Sequence, residues 1–301
     1  MRTVTDLPTP LEEAPPELSG GRPLYLKRED VHELGAFKWR GALPALEKYR
    51  AHGAEAVVTA STGNHGAATA WAAQRTGMRA VVFVPDGAST AKVALLEDLG
   101  AELHPVGADL DDSKELAREH AAAKDLPFFE DGAEPAQFDG YEAIGKEILR
   151  QLGGPPDTVI VPVGNGALII GVFRGIGRVS GVVAKEAPVM ALSMEAGRPV
   201  DCDRSATFAD GMAVRVAIPL AVEELRGRPI PMSMVSEREI ARAVGDYAAA
   251  GIRVEGSGAA SLAAYRKRRP GREPVVLIVT GRNIDDDLHR RCVEDPDSFP
   301  D

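Results

Sequence analysis

Short runs of β-branched and aliphatic residues alternate with alanine-rich stretches along most of this chain. Seven runs have the length and composition of strands: PLYLKRE, EAVVTA, RAVVFVP, AELHPV, DTVIVPV, PVMALSME and PVVLIVTG. Amphipathic segments, which are typical of helices, separate most of these runs. Strands that alternate with helices favour parallel pairing, so the sequence predicts an α/β fold around mostly parallel sheets.

Length, charge and cysteine content narrow the class of protein. The chain has 301 residues, 44% of them hydrophobic, which is enough for one large domain or two lobes. Its formal net charge of -10 repels polyanions, so we expect no nucleic-acid partner. No apolar run is long enough to cross a membrane and no leader pattern opens the chain, so we expect a cytoplasmic protein without a membrane partner. Cys202 and Cys292 lack metal-ligand spacing and are predicted to be reduced thiols.

A loop rich in small polar residues follows the run EAVVTA. It contains Ser61, Thr62, Gly63, Asn64 and His65, after which a helical pattern begins. Backbone N–H groups at a helix start can bind an anion such as a carboxylate. An ordinary helix cap made by the Ser61 or Asn64 side chain explains the same residues equally well.

Two further loops follow predicted strands. Gly164, Asn165, Gly166 and Ala167 come directly after DTVIVPV and could hold a phosphate on the next helix, although a tight turn also requires glycine. The loop lacks the Lys-Ser/Thr ending of a nucleotide P-loop, and no GxGxxG follows an early strand, which argues against a nicotinamide dehydrogenase. Thr280 ends the run PVVLIVTG, where its hydroxyl could face a ligand or cap its own turn.

Lys38 stands between Phe37 and Trp39 in the segment GAFKWRGALPAL. A lysine is rarely buried in apolar surroundings without a functional reason, and such surroundings favour the neutral, nucleophilic amine. An amine of this kind, a phosphate loop, a carboxylate loop and a hydroxyl together are what pyridoxal phosphate and an amino acid require.

Eight segments in the same order resemble the fold-type II pyridoxal-phosphate enzymes, the threonine dehydratase and serine racemase group. They are TPLEE, YLKREDVHELGAFKWRGA, ASTGNHGAATAWAAQRTG, KVALLEDLGAEL, VPVGNGALIIG, ADGMAVR, VEGSGAASLAA and VTGRNID. The resemblance implies a tryptophan synthase beta-like fold with two lobes, each with a mostly parallel twisted sheet flanked by helices.

The resemblance also implies roles for individual residues. Lys38 would hold pyridoxal 5'-phosphate as a Schiff base and act as a catalytic base, with Phe37 packing beside it. The other cofactor contacts would be Asn64, Gly164, Asn165, Gly166, Ala167, Leu168 and Thr280. The substrate carboxylate would bind Ser61, Thr62, Gly63, Asn64 and His65.

The implied reaction is a β-elimination. A hydroxyl such as that of Thr280 does not hold a proton on the pyridine nitrogen, so the ring is a weaker electron sink and prompt loss of a leaving group is favoured. We therefore expect an ammonia-lyase that converts a hydroxyamino acid such as threonine or serine into a 2-oxo acid and ammonia. The alternatives are a β-replacement synthase of the threonine synthase or cysteine synthase type, a racemase that uses Thr62 as a catalytic residue, and a non-catalytic cofactor-binding protein.

Several positions depart from the family pattern and leave the substrate open. Ala36 replaces the usual serine before the lysine, Asn165 and Ala167 interrupt the glycine-rich loop, and Arg282 replaces a glycine. The segment FDGYEAIGKEI is nearer to the threonine synthase version than to that of the dehydratases.

The resemblance also bears on metal binding and domain organisation. Glu195 and Asp201 resemble carboxylates that bind Mg²⁺ or Ca²⁺ in the racemase-like subgroup, although such acids are commonly solvated loop charges. The larger, cofactor-binding lobe is predicted to contain residues 1–53 and 134–301, and a small mobile lobe residues 54–133. The protein is expected to be a homodimer, and the final VEDPDSFPD is predicted to be a frayed tail.

Overall fold

The computed structural model describes residues 8–203, 205–268 and 271–301 of the chain. They form two compact units. The larger unit contains the described residues up to Phe37 together with Tyr141–Asp301, and the smaller unit contains Lys38–Gly140. These bounds differ from the predicted lobes in residues 38–53 and 134–140. Compactness says nothing about motion, so the mobility of the smaller lobe stays a prediction.

Parallel strands dominate both units, which confirms the predicted fold class. The strands in the described ranges are β1 (Leu11–Glu13), β2 (Leu24–Arg28), β3 (Ala56–Ala60), β4 (Arg79–Val84), β5 (Glu102–Pro105), β6 (Thr158–Pro162), β7 (Val179–Ala184), β8 (Met232–Val235) and β9 (Val275–Val279). The larger unit contains a six-stranded sheet in the order β1-β2-β9-β6-β7-β8, in which only β1 is antiparallel to its neighbour. The smaller unit contains the parallel sheet β3-β4-β5.

Helices connect nearly all of these strands. They are α1 (Pro16–Ser19), α2 (Trp39–Ala51), α3 (Asn64–Thr76), α4 (Thr90–Asp98), α5 (Leu110–Ala123), α6 (Pro135–Leu152), α7 (Ala167–Ile176), α8 (Val189–Ala196), α9 (Pro219–Leu225), α10 (Glu237–Ala249), α11 (Gly256–Lys267) and α12 (Asp286–Glu294).

The position of β9 in the sheet follows from its sequence. Every residue of its run VVLIV is buried, as expected for a parallel strand covered on both faces. It lies between β2 and β6 and runs parallel to both. Consequently the loops that follow β6 and β9 leave the sheet at the same edge, where ligands of α/β proteins bind.

Two local predictions are wrong. The segment PVMALSME forms α8 rather than a strand, because Met, Ala and Leu form helices readily and Gly197 ends the helix in the left-handed conformation at φ 64°. The C-terminal segment is ordered rather than frayed. Phe299 is buried and its ring centroid lies 4.9 Å from that of Phe208, while Arg238 binds the Phe299 carbonyl and Asp301.

Lys27 on β2 is a fully buried lysine whose charge is matched. Its Nζ donates to Glu147 Oε2 at 2.5 Å, to the Thr9 carbonyl at 2.7 Å and to Gln151 Oε1 at 2.9 Å. All three hydrogens of the ammonium are therefore used by protein acceptors. We assign this lysine a structural role in the larger unit.

We predict that Lys27→Met destabilises the protein strongly, because it leaves the buried Glu147 carboxylate without its cation. The expected loss in the free energy of unfolding is about 3–5 kcal/mol. Lys146→Met is the control, because it removes a surface pair in which Lys146 is 59% exposed, and it should cost less than about 1 kcal/mol. Chemical denaturation of the variants measures both values, and equal losses would contradict the structural role of Lys27.

Candidate functional site

The predicted carboxylate loop connects β3 to α3 in the smaller unit. Gly63 precedes the helix with φ -110° and, as a glycine, has no side chain that could cap the helix start. The Ser61 hydroxyl instead accepts from the Gly63 N–H at 3.1 Å, and Thr62 lies half-buried in the same turn. The first N–H groups of α3 are thus placed to bind an anion.

The predicted phosphate loop connects β6 to α7 in the larger unit. Gly166 has φ 94°, a left-handed conformation that favours glycine. A Cβ at Gly164 would collide with the Gly211 carbonyl oxygen, and one at Gly166 would lie 2.9 Å from Met190 Cε. The Ala167 N–H donates to the Asn165 side chain at 3.0 Å. Two glycines and the Asn165 side chain therefore form a tight turn at the start of a buried helix, where a phosphate could bind.

Thr280 follows β9 at the same edge of the sheet. It is buried, and its Oγ1 makes no hydrogen bond to any residue that the structure describes. Its carbonyl accepts from the Phe37 N–H at 3.0 Å, and Ala36 pairs with Gly281. Because a buried hydroxyl normally has a partner, this one favours a ligand that supplies it.

Lys38 lies immediately before α2, at the first position of the smaller unit. Its side chain is 11% exposed, and its Nζ forms an ion pair with Asp131 Oδ2. The predicted apolar setting is therefore incomplete, because a carboxylate from a distant part of the chain contacts the amine.

A partly buried network holds Asp131 in place, since the Asp131 side chain is 26% exposed. Gln137 Nε2 donates to Asp131 Oδ1 at 3.1 Å, while Gln137 Oε1 accepts from the Gly132 N–H at 2.8 Å. Burial alone would raise the pKa of Asp131, but the charge of Lys38, the interaction with His65 and these hydrogen bonds outweigh it, so that the pKa lies below its ordinary value. Asp131 is therefore ionised at neutral pH.

His65 connects the carboxylate loop to this network. Its Nε2 lies 3.1 Å from the Phe129 carbonyl oxygen, and its Nδ1 lies 3.6 Å from Asp131 Oδ1. Burial lowers the pKa of His65, and although Asp131 opposes this effect, the charge of Lys38 adds to it. The imidazole is therefore neutral at neutral pH.

The sequence prediction did not include Asp131 or Ser257. The Ser257 hydroxyl is buried without a partner among the described residues. Asp131 follows the apolar segment LPFF, in which Phe128 forms a parallel bridge with Val58 of β3. The available signal was the acidic pair Glu130 and Asp131 directly after an apolar run, because this position places the two residues at the same edge of the sheet as the carboxylate loop.

The two predicted metal ligands lie in and after α8. Glu195 is exposed near the end of that helix, and Asp201 Oδ1 accepts from the Ala217 N–H at 3.2 Å. Among the described residues, no group of three or more His, Cys, Asp or Glu side chains is arranged to hold a metal ion. Mg²⁺ or Ca²⁺ binding by Glu195 and Asp201 stays a prediction.

The residues present fit pyridoxal phosphate. The glycine turn before α7 suits a phosphate, the unpartnered Thr280 hydroxyl suits a ring nitrogen, and the Lys38 amine suits an aldehyde. The fold and these side chains thus define an α/β protein of the class that binds an aldehyde cofactor through lysine.

Comparison with known proteins agrees with this class. The family model described as "Pyridoxal-phosphate dependent enzyme" matches residues 3–281, and the chain belongs to this family. L-Threonine ammonia-lyase of Geobacter sulfurreducens is 33% identical over 88% of this chain and 68% of its own. The structure of threonine deaminase isoform 2 from Solanum lycopersicum has a TM-score of 0.87 and 30% identity, covering 96% of this chain and 88% of that one. Maize serine racemase has a TM-score of 0.86 and 26% identity, covering 95% and 91%.

These findings confirm the predicted family, cofactor and fold. The relatives also agree with the prediction of a lyase. The chain spans 68% of the length of the Geobacter sulfurreducens relative and 54% of the length of L-threonine dehydratase biosynthetic IlvA of Pasteurella multocida. In the part of the chain that the structure describes, no helix has the length and apolar character needed to cross a membrane.

We predict that Thr280→Val weakens cofactor binding without destabilising the cofactor-free protein, since the hydroxyl has no described protein partner. The dissociation constant of pyridoxal phosphate should rise about 2- to 12-fold, as for the loss of a neutral hydrogen bond. Thr280→Ser, which keeps the hydroxyl, should remain near wild type. Spectroscopic titration and thermal unfolding measure the two effects, and unchanged affinity in the valine variant would rule out this role.

Proposed function

We propose that this protein is a pyridoxal-phosphate dependent ammonia-lyase that performs β-elimination on an amino acid with a β-leaving group, such as threonine or serine. The observation that carries the proposal is the unpartnered hydroxyl of Thr280 at the end of β9. A hydroxyl there favours elimination over reactions that need a long-lived carbanion. The similarity to the L-threonine ammonia-lyases of Geobacter sulfurreducens and Thermotoga maritima supports the same reaction class.

The chain's own residues supply positioning and proton transfer. When bound, pyridoxal phosphate supplies an aldehyde for amines and an electron-withdrawing ring. Lys38 would be the residue that holds the aldehyde, and its freed amine would take the Cα proton as general base. The amides of Gly164, Asn165, Gly166, Ala167 and Leu168 at the start of α7 would hold the phosphate, the Thr280 hydroxyl would contact the ring nitrogen, and Phe37 would pack near the lysine segment.

The loop before α3 positions the substrate in this proposal. The N–H groups of residues 63–65 bind the substrate carboxylate, helped by the Ser61 and Thr62 hydroxyls. Asn64 approaches the hydroxyl of the cofactor ring. Fixing the carboxylate orients the Cα–H bond for proton removal, which is the main contribution of such binding to the rate.

Racemisation is the second candidate function. The fold is similar to that of maize serine racemase, and Thr62 stands where a hydroxyl could return a proton to the opposite face of Cα. The branched side chain of Thr62 restricts χ1 and therefore the direction in which the hydroxyl can point.

Two further alternatives differ in their products. A β-replacement synthase would give a new amino acid, and a non-catalytic protein would give no product. The proposal includes a homodimer, which the family resemblance implies, and a cytoplasmic location, which is expected from the sequence.

We predict that the wild-type protein releases ammonia and a 2-oxo acid from L-threonine or L-serine, and that Lys38→Ala loses this activity. Loss of the general base should lower kcat by at least about 10²- to 10⁴-fold. Lys48→Ala is the control, because Lys48 lies on α2 and its side chain is 47% exposed. Mass spectrometry of the products, with and without Mg²⁺, makes the measurement. D-amino acids or substituted amino acids as main products would contradict the proposed lyase.

A further inference from the structure

Arg282, in the turn that follows β9, binds two carbonyl groups of a segment distant in sequence. Its Nη1 donates to the Asp30 carbonyl, and its Nη2 donates to the His32 carbonyl at 3.3 Å. Asp30 and His32 are both buried. A planar guanidinium, with several donors in fixed directions, suits two neighbouring acceptors better than a single ammonium does. The family pattern has a glycine at this position, and a glycine could make neither bond.

The segment that Arg282 binds, residues 29–37, leads directly to Lys38. It connects β2 to α2, and beyond the short 3-10 helix Glu29–Val31 it consists of turns and one isolated bridge. Backbone groups in such a segment need partners from other parts of the chain, because no regular helix or sheet supplies them. The position of the segment therefore depends on the groups that bind it.

The turn after β9 supplies further bonds to the same segment. The Arg282 N–H donates to the Gly35 carbonyl at 2.9 Å, and Asn283 Nδ2 donates to the Leu34 carbonyl at 2.8 Å. Gly35 has φ 67°, a conformation that favours glycine. A Cβ built there would collide with Asn283 Oδ1 and would lie 3.3 Å from Arg282 Cγ. The arginine stem therefore lies close against the backbone that its guanidinium binds.

These bonds fix the path between two residues that are expected to contact the cofactor. The Phe37 N–H donates to the Thr280 carbonyl at 3.0 Å, and Ala36 forms a bridge with Gly281. Lys38 follows Phe37 directly, and consecutive Cα atoms are about 3.8 Å apart. A shift of this segment along the end of β9 would therefore change the distance from the Lys38 backbone to the Thr280 hydroxyl.

We propose that Arg282 is a positioning residue that fixes the backbone of Lys38 relative to Thr280. The amine binds the aldehyde by forming a carbon–nitrogen double bond and releasing the aldehyde oxygen as one water, while the Thr280 hydroxyl contacts the ring nitrogen. Both contacts are made to one rigid molecule, so a displacement of about 1 Å between them can cost about 10²-fold. The inference rests on the cofactor contacts of the proposed function and not on the reaction that follows.

The test compares two ligands of the full chain after its cofactor has been removed. They are pyridoxal phosphate and deoxypyridoxine phosphate, which carries a methyl group in place of the aldehyde and cannot bond to Lys38. Arg282→Met keeps an unbranched stem and removes the guanidinium donors. It should weaken pyridoxal phosphate about 10- to 100-fold and change the deoxy compound by less than about threefold. Spectroscopic titration gives both dissociation constants.

Arg253→Met is the matched control. Arg253 also binds a carbonyl close to the end of β9, that of Ile284 at 2.7 Å, and it pairs with Asp286. Its removal should leave both dissociation constants near wild type. Arg282→Lys, which keeps the charge and one donor group, should recover part of the affinity for pyridoxal phosphate.

Selective weakening of pyridoxal phosphate supports the positioning role. Equal weakening of both ligands, as expected if Arg282 only maintains the fold, overturns it, and so does unchanged affinity for both. Circular dichroism of the cofactor-free variants shows whether they are folded. Should Arg282→Met not fold, Arg282→Lys decides, because it should show the same selectivity at about 3- to 10-fold.

Product analysis separates this proposal from the proposed function. Selective weakening in a protein that forms no 2-oxo acid from threonine or serine supports the role of Arg282 and overturns the lyase. Formation of a 2-oxo acid by the wild type, with equal weakening of the two ligands in Arg282→Met, overturns the positioning role and leaves the lyase intact.

Discussion

The ion pair between Lys38 and Asp131 holds the amine on which the proposed chemistry of this protein depends. The Lys38 side chain is 11% exposed, and the Asp131 carboxylate lies against its amine. The same contact helps to keep this partly buried carboxylate ionised, because the charge of Lys38 lowers the pKa of Asp131 against the effect of desolvation. Lys38 and Asp131 therefore stabilise each other, and both residues lie in the smaller unit.

The larger unit contributes two features that suit a ligand better than they suit the stability of the fold. Its sheet places β6 beside β9, so that a glycine turn and a buried hydroxyl leave the same edge. Neither feature stabilises the fold in an obvious way. Glycines at Gly164 and Gly166 add conformational freedom to the unfolded chain, and the Thr280 hydroxyl is buried without a described partner. Such local costs are typical of sites built for a ligand rather than for stability.

Much of this arrangement could be predicted from the sequence because it is local. A strand, a short polar or glycine turn and a helix occupy about twenty consecutive residues. The loops at Ser61–His65 and Gly164–Ala167 can therefore be recognised from the sequence alone. Side chains that contact each other but are distant in sequence cannot be recognised in this way. Asp131 lies 93 residues from Lys38, and Glu147 lies 120 residues from Lys27. An apolar neighbourhood alone cannot distinguish a structural lysine such as Lys27 from a reactive one, because the difference lies in how many acceptors the fold brings to the amine.

The most direct test of the central claim is to identify the lysine that binds the cofactor. Borohydride reduction of the freshly purified protein, followed by proteolysis and mass spectrometry, fixes the cofactor to whichever amine carries it. We expect the modification on the peptide that contains Lys38 and no modification on the peptide that contains Lys27. An unmodified Lys38, with the cofactor on another residue or lost altogether, would contradict the account.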